Sequence, residues 1–412
     1  MNVQGRRIGR VMVRPKKIEN LEEIERPLLI IFFLFGVSLM SWVPRFPEVK
    51  ANLGLNNGDF GILLSMGGAG ALLALFTVGH FVNQFGTRKF LPLSALGFCL
   101  SIGLIVHLRS PWMFVICNVA IGCFVSAFHI SINAQSLAAQ SALQKLLISK
   151  TAGTWTFGAL SSILLSSFVV SYVSISWHIG VIQIICFLGI CIQLIKISPY
   201  MVTPSVARES LRATLVKVSK FRVDTFFTLV MLLAIQMEFS MGDWSTIYAR
   251  ENLGSAAEYA ALPYLVFLGF MSIGRLGVHR FTQRYSHAQL LKLGALIGGG
   301  GYCIGVSLSH LLRENPTVAY CSFMVALALS GLGSSFMAPL FINSAQEKSA
   351  ESSAVVIGQL GAINNSMVFF VKAFISWVAQ VAGLHIALLI PGLMLFSIVF
   401  FSHVLNKDQT KS

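Results

Sequence analysis

Residues 59–105 read DFGILLSMGGAGALLALFTVGHFVNQFGTRKFLPLSALGFCLSIGLI. Two apolar runs, each close to the roughly 20 residues that carry a helix across a bilayer core, meet at a turn holding Gly86, Arg88 and Lys89. The runs are rich in Gly, Ala, Ser and Phe and lack period-two alternation. They predict membrane-spanning helices rather than barrel strands. A basic pair at the turn places that end of the hairpin on the cytoplasmic side.

The pattern continues along the chain. Runs of spanning length begin near Pro27, Asp59, Lys89, Trp112, Thr151 and Ser176, then near Asp224, Glu258, Gln289, Val318, Ser353 and Leu384. They divide six and six around one long basic stretch. This predicts an all-α integral membrane protein with twelve transmembrane helices in two pseudo-symmetric halves. The expected boundaries are a tail at 1–25, six helices over 26–197, a linker at 198–223, six helices over 224–406 and a tail at 407–412.

The composition agrees. Of 412 residues, 55% are hydrophobic and 11% charged, too few charges to cover a water-exposed surface; soluble domains carry roughly 25%. The net charge of +14 does not signal nucleic acid, because the basic residues are spread over short loops. By loop, 24 of the 30 Lys and Arg fall on the side of the termini, Arg275 among them. Five (Arg45, Lys50, Arg109, Arg250 and Arg313) fall on the other, and Lys372 is left within a span. Such a bias sets both termini in the cytoplasm. The basic N-terminal tail superficially resembles a transit peptide, but the acidic stretch from Glu19 to Glu25 argues for a retained positive-inside anchor.

Several other classes drop out. All seven cysteines lie in apolar runs without a CxxC pair and read as small buried hydrophobes. The glycine clusters at 67–70 and 298–301 are not followed by Lys-Ser/Thr, so they predict close helix packing and not a phosphate loop. No Cys/His set has metal-site spacing, and no nucleophile–base arrangement is visible. No cofactor, no metal and no enzyme activity are expected.

The chain also matches itself. A shift of 200 residues sets Phe81 on Phe281, Phe85 on Tyr285, Leu91 on Leu291 and Ala95 on Ala295; a shift of 210 sets Ile132-Asn133 on Ile342-Asn343. A longer loop around His310 to Pro316 is expected to absorb the extra residues. Parallel repeats of this kind build transporters with a solute site between the halves.

The turn GHFVNQFGTRK, carrying Gly79, Asn83, Gln84, Gly86, Arg88 and Lys89, resembles the G-x-x-x-D-R-x-G-R-[KR] signature of the major facilitator superfamily. Asn83 and Gln84 stand where the family has an acid and a base, so a neutral hydrogen bond replaces the salt-bridge latch there. WVPRFP (42–47), INAQ (132–135), EFSMGDWS (238–245) and GLG (331–333) are similar to motifs of one branch, the fucose-permease-like and rhizopine-uptake-like proteins. His129 occupies the place of a branch acid, and Val371-Lys372 that of a Gly-Pro pair. The resemblance implies the superfamily fold and a monomer in the plasma (inner) membrane.

Ionisable residues inside spans are costly and so are usually functional or paired. Glu238 lies about 21 Å up its span, at about 1.5 Å per residue, and Lys372 is placed at a similar height. They are expected to pair with each other, as a moving or a static bridge. His129 either carries a proton in the physiological range or hydrogen-bonds a neighbouring helix; Asn133 shares its face. Asp243 is either functional or an interfacial cap. Arg45 either meets an anionic solute or snorkels to headgroups. Gln135, Gln236, Asn364 and Asn365 can hydrogen-bond a solute or another helix. The expected function is secondary transport of a small polar, sugar-like solute, with proton-coupled uptake implied by the resemblance. Proton-driven efflux of a metabolite or drug, or a non-transporting membrane sensor, are the alternatives.

Overall fold

A computed structural model describes residues 22–143, 147–201, 225–282, 284–337 and 353–401. It is built of long helices, with no strand among the described residues. In chain order these are α1 (Glu22–Met40), α2 (Asn57–Phe85), α3 (Thr87–Ile105), α4 (Pro111–Leu143), α5 (Ile148–Val169) and α6 (Ile175–Ile197). Then follow α7 (Thr225–Glu251), α8 (Leu262–Thr282), α9, α10 (Pro316–Ser334), α11 (Ser353–Ala382) and α12 (Leu384–Phe401). Helix α9 runs through His287–Gly294, a π-helical turn Ala295–Gly300 and Gly301–Leu311. Among the described residues nine helices are long and apolar enough to cross a membrane, and Leu262–Gly277 and Ser366–Ala382 add shorter apolar stretches.

Local chemistry sets the breaks. The hairpin between α2 and α3 turns on Gly86 alone, at φ 74°, and Gly383 at φ 89° separates α11 from α12. Both angles lie in the left-handed region that disfavours a Cβ. Asn56 caps α2 by accepting from the Asp59 N–H at 2.8 Å. Ser286 and Gln289 form a capping box at the start of α9, and Asn315 caps α10 ahead of Pro316. Between α1 and α2 the chain makes a 3-10 turn (Val43–Arg45) and a short helix (Phe46–Leu53). Successive helices run in opposite senses. One end of the bundle therefore carries the start of α1, the end of α12 and the Arg88–Lys89 turn; we call it the basic end and the other the far end. Trp112, Tyr172 and Trp177, all strongly exposed, ring the far end as interfacial aromatics do.

Within the first six helices α1 packs on α5 and α6, α2 on α4, and α3 on α4 and α6; within the last six α8 packs on α10, α9 on α10 and α12, and α7 on α12. The two sets meet along α2–α11 and α5–α8. Helix starts recur between them: Thr87 and His287 are 200 residues apart, and Pro111 and Pro316 are 205. The extra residues are not in the loop before Pro316, which is only residues 312–315. They lie within α9, whose segments hold 8, 6 and 11 residues against 19 in α3. A π-turn absorbs insertions inside a helix without breaking it. Ile342 and Asn343 lie outside the described residues.

The glycine clusters do pack helices. A Cβ on Gly122 of α4 would stand 1.8 Å from the Gly67 carbonyl oxygen of α2, and one on Gly70 would stand 1.9 Å from that of Val119. Because the obstacle is backbone, no side-chain rotation relieves it. Gly122→Val is expected to lower stability by about 3 kcal/mol or more, at or above the top of the usual overpacking range. A thermal unfolding midpoint in detergent equal to that of the wild type would exclude so tight a contact.

Candidate functional site

Phe35 of α1, Phe98 of α3 and Phe128 of α4 form a buried ring cluster with centroids 5.1–5.4 Å apart. It fixes the register of α4 and so the next residue, His129, whose ring centroid lies 6.1 Å from that of Phe35. His129 is exposed although the preceding Phe128 is fully buried. One turn on, Asn133 donates its amide to the His129 carbonyl at 2.9 Å. The imidazole and Asn133 thus share one face of α4, about 20 Å from its basic end.

In the second set of helices two ion pairs stand inside the bundle. Glu238 of α7 accepts from Arg275 Nη2 of α8 at 3.1 Å, with side chains 34% and 37% exposed. Asp243 of α7 meets Lys372 Nζ of α11 at 2.7 Å, both largely buried, and the ammonium also lies 5.5 Å from the Phe239 ring centre. The expected Glu238–Lys372 pair is not formed. The reason is height: Lys372 lies about 29 Å beyond Ser353, the first described residue of α11, level with Asp243 at about 27 Å beyond Thr225 of α7 and above Glu238 at about 20 Å. Asp243 is accordingly no interfacial cap. Arg275 is no loop charge, because α8 starts at Leu262 and carries it thirteen residues into the bundle. The apolar residues Leu276, Val278 and Phe281 beyond it were the sequence signal that the helix continues.

Other candidates serve the frame. Arg45 is 1% exposed and bonds Glu48, the Val170 and Val173 carbonyls and His178 Nδ1, so it reaches neither headgroups nor a solute. Gln135 is buried, with its amide donating to the Tyr200 carbonyl at 2.9 Å. Gln236 is fully buried on α7, and among the described residues neither amide atom has a partner. At the basic end Gln84, Arg88 and Lys89 are exposed beside Gly86. The side chains of Gly79, Asn83, Asn364 and Asn365 lie outside the described residues.

The far end is held shut between the two sets of helices. Lys50 Nζ donates to both carboxylate oxygens of Glu251, at 2.5 and 2.6 Å, and to Asn57 Oδ1. Gly58 N–H donates to Gln380 Oε1 at 3.3 Å, and Ser171 Oγ to Glu258 at 2.5 Å. That hydroxyl bond holds the exposed Glu258 carboxyl below the ordinary carboxylate range, so the contact is kept at neutral pH and lost only in acid. Between described residues, hydrogen bonds and ion pairs linking the two sets occur only at this end. Lys50 and Glu251 were legible in the sequence only as loop charges, because 201 residues separate them.

The sequence profile of the Major Facilitator Superfamily matches residues 28–372. An uncharacterized MFS-type transporter of Yersinia pestis is 25% identical over 380 residues, covering 90% of this chain and 92% of that protein. Two solved folds align over nearly the whole bundle. The nucleoside transporter NupG gives a TM-score of 0.71 at 12% identity, over 94% of this chain and 100% of that one. A D-xylose-proton symporter gives 0.67 at 17% identity, over 92% and 96%. Supported by a profile that spans most of its length and by a helical bundle of the same shape, the chain belongs to the Major Facilitator Superfamily and is a multi-pass membrane transporter.

Proposed function

We propose that this transporter imports a small polar, sugar-like solute together with protons, by alternating access, as a monomer in the plasma (inner) membrane with both termini cytoplasmic. The observation that carries this is the half-exposed Glu238–Arg275 pair in the middle of the bundle. Each ionised group there costs about 2.5–3.5 kcal/mol to insert. A brace needs no solvent access, whereas a proton and solute site does. His129 and Asn133 supply titratable and hydrogen-bonding groups from the other half.

In this reading helices 26–197 and 224–406 rock as two bodies about that site. The Lys50–Glu251, Gly58–Gln380 and Ser171–Glu258 contacts close the far, extracellular end, and the site opens to the cytoplasm. The branch resemblance in the INAQ and EFSMGDWS motifs supports the sugar-like class. So does sharing a fold with a nucleoside transporter and a D-xylose-proton symporter, though that likeness is one of fold. Reconstitution in proteoliposomes tests the proposal. Acid outside should raise solute accumulation severalfold, and a protonophore should abolish the gain. Uptake indifferent to a pH gradient would sink the coupling.

A further inference from the structure

We propose that the solute carries a carboxylate, and that this carboxylate takes Arg275 from Glu238 while Glu238 takes up a proton. The inference rests on the transport proposal above and narrows its substrate class from sugar-like solutes to sugar acids.

A guanidinium has five N–H donors in a planar fork. Arg45, which is structural, uses all three of its nitrogens and is 1% exposed. Arg275 uses two: Nη2 to Glu238 at 3.1 Å and Nε to the Ser335 carbonyl at 3.3 Å. Among the described residues its Nη1 edge has no partner, and its side chain is 37% exposed midway along the bundle. The other mid-bundle cation, Lys372, is enclosed by Asp243 and the Phe239 ring. An open guanidinium edge in a low-dielectric site fits a carboxylate, which it binds by two parallel bonds. A neutral sugar has no group that gains comparably from it.

The competition follows from charge. Arg275 with two carboxylates carries a net negative charge inside the bilayer, which is costly at low dielectric. One proton on Glu238 restores neutrality, and Glu238 is open enough to receive it from water. Among the described residues the groups around Glu238 leave it no other answering charge. On α8 these are Arg275 and the phenol of Tyr264, and between α7 and α11 the closed Asp243–Lys372 pair. Helix α10 carries no charged side chain, and α12 only His385 at its far end. Arg45, Glu48 and Lys50 are committed at the far end, and His129 stands on α4 against Phe35. Solute anion and proton therefore enter from one compartment and move together, with no net charge transferred.

The test uses the full chain in proteoliposomes with D-gluconate and D-galacturonate, set against D-glucose and D-galactose. The acids should accumulate at least 10-fold faster than the neutral sugars. Their uptake should follow an imposed pH gradient and ignore a potassium–valinomycin potential. Glu238→Gln, which mimics the protonated acid, should bind the acids at pH 8 at least 10-fold tighter than the wild type, with no pH dependence, and should lose accumulation. The double change Glu238→Gln with Arg275→Gln removes both charges and so avoids a stranded ion; it should keep the wild-type melting profile and lose acid binding. Uptake of the neutral sugars driven by membrane potential, without uptake of the acids, overturns the inference and leaves proton-coupled transport standing. No flux of any of the four overturns both.

Discussion

Lys372→Ala is expected to abolish transport and to lower the stability of the protein by about 3–5 kcal/mol, the cost of stranding a buried charge. Asp243 and Lys372 are 14% and 19% exposed, and among the described residues the ammonium meets only Asp243 and the Phe239 ring. Removing it leaves a carboxylate in the bundle with neither water nor a cation. Replacing both partners with neutral residues of similar size, Asp243→Asn with Lys372→Met, removes the stranded ion, and most of the lost stability should return. Transport should not return, because the link between α7 and α11 is then uncharged and cannot strengthen or relax as the bundle changes state. Thermal unfolding in detergent gives the first quantity and proteoliposome flux the second. A Lys372→Ala protein that melts and transports like the wild type would show the pair to be idle. A double variant with full transport would make it a brace only.

A second large effect is expected at Arg45. Its guanidinium joins the turn after α1 to the carbonyls of Val170 and Val173 after α5, and to His178 at the start of α6. Charge-assisted bonds of this kind contribute about 1.5–3 kcal/mol each, and the carbonyls left behind add a desolvation cost. Arg45→Met should therefore destabilise the first six helices by about 3 kcal/mol or more. Arg45→Lys should recover only part, since one ammonium cannot span three directions. Because the residue touches no solute, the apparent KM of the folded fraction should stay at the wild-type value while the yield of folded protein falls. A changed KM with unchanged yield would place Arg45 in the transport path instead.

The ion-pair partners separate what was legible in the sequence from what was not. That Glu238, Asp243 and Lys372 are unusual follows from their types and their apolar surroundings alone, since a charge in a span announces itself against hydropathy. Which of them meet does not. Pairing depends on how high each residue stands along its helix and on which faces turn together. An apolar run shows its length but not its register. The same limit hid Arg275, a few residues from the expected end of a span, and turned a mid-bundle cation into a loop charge.

The basic turn at 79–89, the twelve apolar runs and the scarcity of charge were enough for an all-helical membrane bundle with a doubled architecture. Lipid leaves a chain little choice: backbone groups must be satisfied within each span, so length and hydropathy dictate the element. Tertiary structure alone decided the partners. It set Lys50 on Glu251 across 201 residues, Asp243 on Lys372 and Glu238 on Arg275, and it fixed Arg45 as a frame residue. Those choices rest on contacts between helices, which are packed through small residues and short-range bonds. Such forces act over a few ångströms and leave no periodic trace along the chain.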